Sequence, residues 1–576
     1  MCGIFALLNY QENHIDTDDI KTEFYKGKKR GPEYSKLDYS YLKMILGFHR
    51  LAINGLNPES NQPLEIDNIV LICNGEIYNY RQLFKNIGVE PYTGSDCEII
   101  IHLYLLYGIE QTLIMLDGEY SFILYDNRIT ADLNNKVFIA RDPYGVRPLY
   151  QVRPTKKTNS SLRCFASELK CIEKFYNEDN ENLEVLQFKP GTYSIFNLSN
   201  KINSVWSPVE ENIPYIIPSF PHSWRINQKT EDVFICNMYH KISSYLNAAV
   251  NKRCLATERP MACLLSGGLD SSLVAALVNE FYNSHELPNK LETYSIGLKG
   301  SEDLKFAKIV ADYLGTKHTE VIITEKEMFE AIPDVIYAIE SYDTTSVRAS
   351  IGNYLLGKYI SENSEAKVIF NGDGADELFG GYLYMKKCPD DIEFDRETRR
   401  LLKDIHAFDV LRSDKCISSH GLEPRTAFLD RSLVDFVLSI PPYFRNHSNT
   451  NNCEKFLLRN GFTSDNFTNY EDESLLPDAI LWRRKEAFSD GVSSKGRSLY
   501  KILQELIFDE LKKNNEYEIT NIDTNIETEK AYYKKIFESK FPNCANIVPY
   551  YWMPKYTDAT DPSARTLDFY SNSQNN

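Results

Sequence analysis

The run LLSGGLDSS, Leu264 to Ser272, constrains this chain more than any other feature. The apolar stretch MACLL precedes it, and SSLVAALVNEFY, apolar at helical spacing, follows it. The two adjacent glycines allow a turn tight enough to wrap an anion. The following helix start offers free N–H groups and the positive end of its dipole. Ser266, Ser271 and Ser272 add hydroxyl donors. No Lys follows, so this is not the GxxxxGK[ST] phosphate loop. The order strand, glycine turn, helix predicts a nucleotide-binding corner of a parallel sheet.

The surrounding pattern agrees. From Glu231 onward, apolar runs (MACLL, LETYSIGL, HTEVIIT, AKVIFNG) alternate with helical stretches, which predicts an α/β domain with a parallel sheet covered by helices. Residues 1 to about 200 read instead as short β-rich runs (GFHRLAI, NIVLICNGEIYN, YSFILYDN, KVFIARD, CFASE) with few helices. They predict an α+β domain of packed sheets with helices on the outer faces. The stretch Pro208–Thr230 holds four prolines and little periodicity, so it is read as a linker. Residues 556–576 are read as a frayed tail. A length of 576 residues suits two large domains.

The net charge of −17 argues against a broad nucleic-acid surface, because phosphate neutralisation needs a basic excess. No run of about 18 apolar residues is evident, so no membrane span is expected. MCGIFALLNYQEN turns polar too early for a secretory signal. The 12 cysteines form no CxxC pair, so they read as reduced cytoplasmic thiols rather than zinc ligands.

A second block, FNGDGADELFGGY (Phe370 to Tyr382), also follows a strand. Its carboxylates Asp373, Asp376 and Glu377 would face the same crevice at the strand ends. Magnesium favours carboxylate and phosphate oxygens, so Asp270 and Asp376 are its candidate ligands. Cys2 is the other chemical candidate. Removal of Met1 would leave an α-amino group of pKa ~7.7–8.0 beside the thiol, placing nucleophile and base on one residue. The oxyanion formed on an attacked amide needs preorganised donors, and Asn74 and Gly75, read at a strand end, are positioned to supply them.

These motifs carry a family resemblance. SGGLDSS resembles the pyrophosphate loop of the PP-loop ATP pyrophosphatases. MCGIFALL, RGPEYS, FHRLAI, QPL, CNGEIYNY, GSDCE and RDPYGVRPLY occur in order and resemble a class II glutamine amidotransferase domain of N-terminal-nucleophile type, over residues 2–195. With ESYDTTSVRAS, GLEPRTAFLD and WRRKEAFSDGV, residues 231–555 resemble the synthetase half of the glutamine-hydrolysing asparagine synthetases. The resemblance implies glutamine, aspartate and ATP as substrates, Mg2+ as cofactor, and no nucleic-acid or membrane partner. A homodimer is compatible with it. It implies a β-aspartyl-AMP intermediate and an apolar internal passage for ammonia.

By the same resemblance, Arg50 pairs the glutamine α-carboxylate, Glu76 and Asp96 hold its α-ammonium, Asn74 and Gly75 form the oxyanion hole, and Leu51, Ala52, Ile53 and Asn54 line the pocket. ATP falls to Leu265, Ser266, Gly267, Gly268, Asp270, Ser271, Ser272, Ile296, Asn371 and Gly372, and aspartate to Thr345 and Arg348. Asp373 and Lys485 are implied to be catalytic. Departures are NGDGADE where relatives carry SGEGSDE, so that Asn371 replaces Ser and Asp373 replaces Glu, together with polar Asn54 and Ala427 in place of Pro. A related amidotransferase acting on another carboxylate is the alternative reading. ESYDTTSVRAS favours aspartate.

Overall fold

The computed structural model describes residues 1–128, 135–155, 160–176, 183–198, 204–216, 219–221, 228–448, 453–486, 488–493, 497–513 and 524–567. Residues before 215 form strands β1 (Gly3–Leu8), β2 (Tyr34–Asp38), β3 (Met44–Arg50), β4 (Leu64–Ile66), β5 (Ile69–Ile77), β6 (Gly118–Asp126), β7 (Asn135–Arg141), β8 (Tyr150–Pro154), β9 (Arg163–Ala166), β10 (Leu183–Gln187), β11 (Thr192–Leu198) and β12 (Ser207–Pro214). They make two antiparallel sheets, β10-β8-β9-β1-β3-β2 and β12-β11-β7-β6-β5-β4.

Period-two alternation explains the stacking. Ile4, Ala6 and Leu8 of β1 point inward to meet Ile72, Ile123 and Ile139 of the second sheet. Phe5 and Leu7 point outward and are covered by Ile20 and Phe24 of the helix Thr17–Tyr25. On the other outer face, Leu71 and Phe122 meet Ile99, Leu103 and Leu113. Helices therefore cover both faces of a sheet sandwich.

Two readings of the sequence are corrected. The linker assigned from Pro208 begins as strand β12, which pairs with β11 at the sheet edge. An edge tolerates Pro208 and Pro214, since one side of the strand needs no ladder donors. Tyr215 is still fastened to this domain, its hydroxyl donating to Arg141 O at 2.8 Å. The stretch Asp96–Met115 is long and apolar enough by composition to span a membrane, although it is no unbroken run of 18 apolar residues. Most of it is buried against the sheet, and it is broken at Gly108, whose φ is 76°, so it packs as a pair of core helices. The tail assigned from Tyr556 is ordered at least as far as Leu567, with Asp561 and Ser563 buried; residues 568–576 lie outside the described residues.

The second half holds a parallel sheet of β13 (Met261–Leu264), β14 (Glu292–Leu298), β15 (Lys317–Ile323), β16 (Val368–Asn371) and β17 (Glu423–Thr426), ordered β15-β14-β13-β16-β17. Cys263 faces the helices Gln228–Leu255 and Leu269–Ser284, whereas Ala262 faces Ile332–Ile339 and Thr344–Asn363. Connections leave β13 and β16 in opposite directions, so a crevice opens between their carboxyl ends.

The two halves meet through buried charge. Arg30 Nη1 pairs with Glu168 (2.8 Å) in its own domain and with Asp414 (2.7 Å) in the other. Asp414 also holds Arg147 at 3.4 Å. Arg253 joins Glu119 (3.1 Å) to Asp430 (3.0 Å). Lys415 bridges Glu340 and Glu168, and Lys170 takes the same two carboxylates from the opposite side. Removing one partner strands a charge where water cannot reach it. Asp414→Ala leaves both Arg30 and Arg147 short of a counter-charge, and is expected to cost about 3–5 kcal/mol of stability. Denaturant unfolding of the two proteins checks this, and an unchanged midpoint contradicts it.

Candidate active sites

At the first site, β1 and β3 carry Cys2 and Arg50 to the same end of their sheet, with Gly3 opposite His49. The Cys2 thiol donates to Leu51 O at 3.7 Å, and its carbonyl accepts from Arg30 Nε at 2.9 Å. Burial raises the Cys2 thiol pKa, and the nearby amino terminus opposes that shift. His49 offers no base. Its ring stacks on Phe24 at 3.9 Å, Nε2 is bonded to Phe24 O, and burial lowers its pKa to about 4.

Asn74 and Gly75 lie inside β5 rather than at its end. Glycine is required at 75 because an added Cβ would sit 2.4 Å from Glu119 O on β6. The Asn74 amide is fully buried; its Nδ2 donates weakly to Ser167 Oγ (3.3 Å) and its Oδ1 has no partner. Asp96 Oδ2 accepts from Ile77 N at 2.6 Å. Burial raises the Asp96 carboxyl pKa to about 6. Burial, together with Asp96 itself, pushes Glu76 well above the usual carboxylate range.

Arg50 is held by its own loop. Nη1 donates to Asn57 O (3.0 Å) and Asn61 Oδ1 (2.7 Å), and Nη2 lies against Asn54 O and Gly55 O. The polar departure Asn54 is used: Nδ2 donates to Glu76 Oε2 (2.7 Å) and to Ala256 O (3.1 Å) of the second domain. Leu51, Ile53 and Asn54 are buried, and Ala52 N donates to Glu33.

At the second site, Gly268 caps the helix Leu269–Ser284. Gly267 has φ +70°, and a Cβ there would meet Ala307 N and Phe306 C at 2.4 Å, so both its conformation and its packing demand glycine. Ser266 and Ser271 bond each other through their hydroxyls at 3.0 Å. Gly372 brings the second loop against the first, since its Cβ would lie 2.7 Å from Ser271 N.

A cavity of about 210 Å³ lies between them. Leu265, Ser266, Gly268, Asp270, Ser271, Ile296, Thr345, Asn371, Gly372, Asp373, Asp376 and Lys485 line it. Gly267 and Ser272 do not, and serve the loop from behind. Lys485 Nζ pairs with Asp376 Oδ2 at 2.5 Å and lies 3.8 Å from Asp270. Its charge and that of Lys455 overcome burial and hold the Asp376 carboxyl far below its ordinary pKa. Asp373 accepts from Arg412 at 3.1 Å; burial nonetheless raises its pKa.

An asparagine synthase family model matches residues 241–393 and 387–552, and a glutamine amidotransferase domain model matches residues 1–210. The glutamine-hydrolysing asparagine synthetase of Rattus norvegicus is 39% identical over 588 residues, with 99% of each chain covered. That of Homo sapiens is 38% identical over 596 residues, and that of Gallus gallus 39% over 580, again with 99% of each chain covered. The chain belongs to the glutamine-hydrolysing asparagine synthetases.

For a member of this family, a third residue assigned from sequence lies off the cavity, and one lining residue is missed. Arg348 does not line the cavity. Its guanidinium is gripped by Glu529 (2.8 and 2.6 Å) and Asp561 (2.7 and 2.8 Å), so it fastens the carboxy-terminal segment instead of a substrate carboxylate. Thr345, one turn earlier, does face the cavity. The missed residue is Lys455, whose Nζ bridges Asp270 and Asp376 (2.6 Å to the latter). Its only local mark is a φ of +56°, which no sequence pattern around it announces.

Burial raises the Asp96 carboxyl pKa to about 6; if Asp96 holds the glutamine α-ammonium, as the resemblance implies, only its anion does so. The kcat/KM of glutamine hydrolysis is therefore expected to fall as pH drops through about 6. The α-amino group of Cys2 also takes up a proton as pH falls below about 8, so Asp96→Asn is the comparison: identical profiles of glutamate release in the two proteins would refute the role of Asp96.

Proposed function

We propose that the chain makes asparagine from aspartate and ATP, with ammonia released from glutamine at Cys2. The observation that carries this reading is the shared seam. Arg30 holds the Cys2 carbonyl and, in the same guanidinium, Asp414 of the synthetase domain.

In the glutamine pocket, the Cys2 thiolate attacks the amide carbon, ammonia leaves, and water hydrolyses the thioester to glutamate. The α-amino group of Cys2, once Met1 is removed, takes the thiol proton. Asn74 and Gly75 face the developing oxyanion, and Arg50 and Asp96 fix the amino-acid end of the substrate. In the cavity, an aspartate β-carboxylate oxygen attacks the α-phosphorus of ATP and pyrophosphate leaves. Ammonia then attacks the resulting β-aspartyl-AMP at its carbonyl carbon, and AMP departs.

The PP-loop N–H groups and serine hydroxyls receive the phosphates, Leu265 and Ile296 receive adenosine, and Thr345 stands toward aspartate. Lys485 and Lys455 neutralise charge on the phosphates. Asp270 and Asp376 fit a magnesium ion, since they are hard oxygen donors side by side and Asp270 Oδ1 is buried with no hydrogen-bond partner. When bound, the ion offsets phosphate charge. The 12 cysteines are free thiols, which supports a cytoplasmic location.

Two substitutions test the division of labour. Cys2→Ala is expected to abolish asparagine formation from glutamine and to leave formation from ammonium intact. Asp270→Asn is expected to abolish pyrophosphate release while glutamate release continues. Quantifying asparagine, glutamate and pyrophosphate together decides both. Parallel loss of all three products in either variant contradicts the two-site reading.

A further inference from the structure

The carboxy-terminal segment reaches the synthetase cavity. Pro562, Ala564 and Leu567 line it, next to residues of the pyrophosphate loop. Leu567 is buried against Leu383. The segment is pinned where it enters by the Arg348 clamp on Asp561, which Gln504 joins at 3.2 Å.

It then grips the loop that carries Lys485. Arg565 donates through Nε (2.9 Å) and Nη2 (2.8 Å) to Glu486 Oε1, the carboxylate next in sequence to Lys485. The same Nη2 donates to Asp490 O at 2.9 Å. Ser563 Oγ donates to Asp490 Oδ1 at 2.8 Å. The Arg565 side chain is only 7% exposed, so these bonds are made out of water's reach. On its other side the loop is held by Lys485 N donating to Glu454 Oε1 at 2.9 Å. The reach of Lys485 Nζ to Asp376 thus depends on a backbone clamped from two directions, and one clamp is the chain's own carboxy-terminal segment.

We propose that Arg565 is a positioning residue for adenylate formation, which sets Lys485 against the pyrophosphate loop while residues 561–567 wall the substrate end of the cavity. Arg565 does not itself line the cavity; its partner Glu486 does, beside Lys485, and Arg565 acts through that loop. The inference rests on assigning ATP cleavage to this cavity. If the unaltered protein releases no pyrophosphate from ATP with aspartate, that assignment fails first, independently of Arg565.

The full-length protein, Arg565→Ala, Arg565→Lys and Glu486→Gln are to be compared with ammonium as nitrogen donor. Arg565→Ala is expected to lower kcat for pyrophosphate release at least about tenfold, equivalent to ~1.4 kcal/mol of barrier. KM for ATP is expected to stay within about twofold, because adenosine and loop contacts are retained. Glutamate release at the Cys2 site should be unchanged, and the thermal midpoint should fall, since Glu486 loses a buried counter-charge. Arg565→Lys should recover part of kcat, since one charged bond to Glu486 survives. Glu486→Gln, which keeps the shape of the loop, should reproduce the loss. An unchanged kcat in Arg565→Ala overturns the proposal. So does a fall of glutamate release in parallel with pyrophosphate release. Should Arg565→Ala fail to fold, an unchanged kcat in Glu486→Gln overturns it equally.

Discussion

The buried charge between the two halves is the constraint on which the rest depends. Arg30, Arg147, Arg253, Arg425, Lys170 and Lys415 are all buried, and each meets a carboxylate. Taking such groups out of water costs several kcal/mol apiece, and only close counter-charges offset it. An apolar interface of the same area would hold the domains at least as firmly. The paired charges add register. Sliding the helix Asp409–Ser418 by one turn, about 5.4 Å, would part Asp414 from Arg30 and Arg147 at once. The site of ammonia release and the site of its use are therefore held at one fixed separation. Arg30 ties that seam to the Cys2 backbone itself.

The two sites are built by different means, and this decided how far each was legible. The glutamine pocket is made largely from contiguous backbone. Leu51 O receives the thiol, and the carbonyls of Asn54, Gly55 and Asn57 orient Arg50 a few residues away. Such local geometry is written in short motifs, so FHRLAI and CNGEIYNY could be read directly. The synthetase site gathers Asp270, Asp376, Lys455 and Lys485 from four separate segments. Its two glycine loops were legible because glycine has a steric reason at Gly267 and Gly372. Lys455 was not, because its partner Asp270 is 185 positions away and nothing local distinguishes it.

The same reasoning explains the misplacements. Pro208 and Pro214 signal a break in helix or central strand, yet an edge strand tolerates both, and edge status is a property of the sheet. An arginine in a motif predicts a carboxylate partner without saying whose. For Arg348 the partners are Glu529 and Asp561, 181 and 213 residues on. That pairing also accounts for the ordered tail. A polar, repeat-free terminus reads as frayed unless one knows that a buried cation awaits it.

Asn371 and Asp373 of NGDGADE are joined through Arg412 and Ser413. Asp373, shorter by one methylene than the glutamate of relatives, reaches Arg412 at 3.1 Å. Asn371, longer than the serine of relatives, accepts from Asp373 N through Oδ1 at 3.2 Å and donates through Nδ2 to Ser413 Oγ at 2.5 Å. Ser413 adjoins Arg412. The longer residue thus ties the backbone of the shorter one to the element that carries its counter-charge. Restoring glutamate at 373 alone would push the extra methylene toward an arginine already shared with Asp409. Asp373 bonds Arg412 directly, and Asn371 ties the Asp373 backbone to Ser413 beside it.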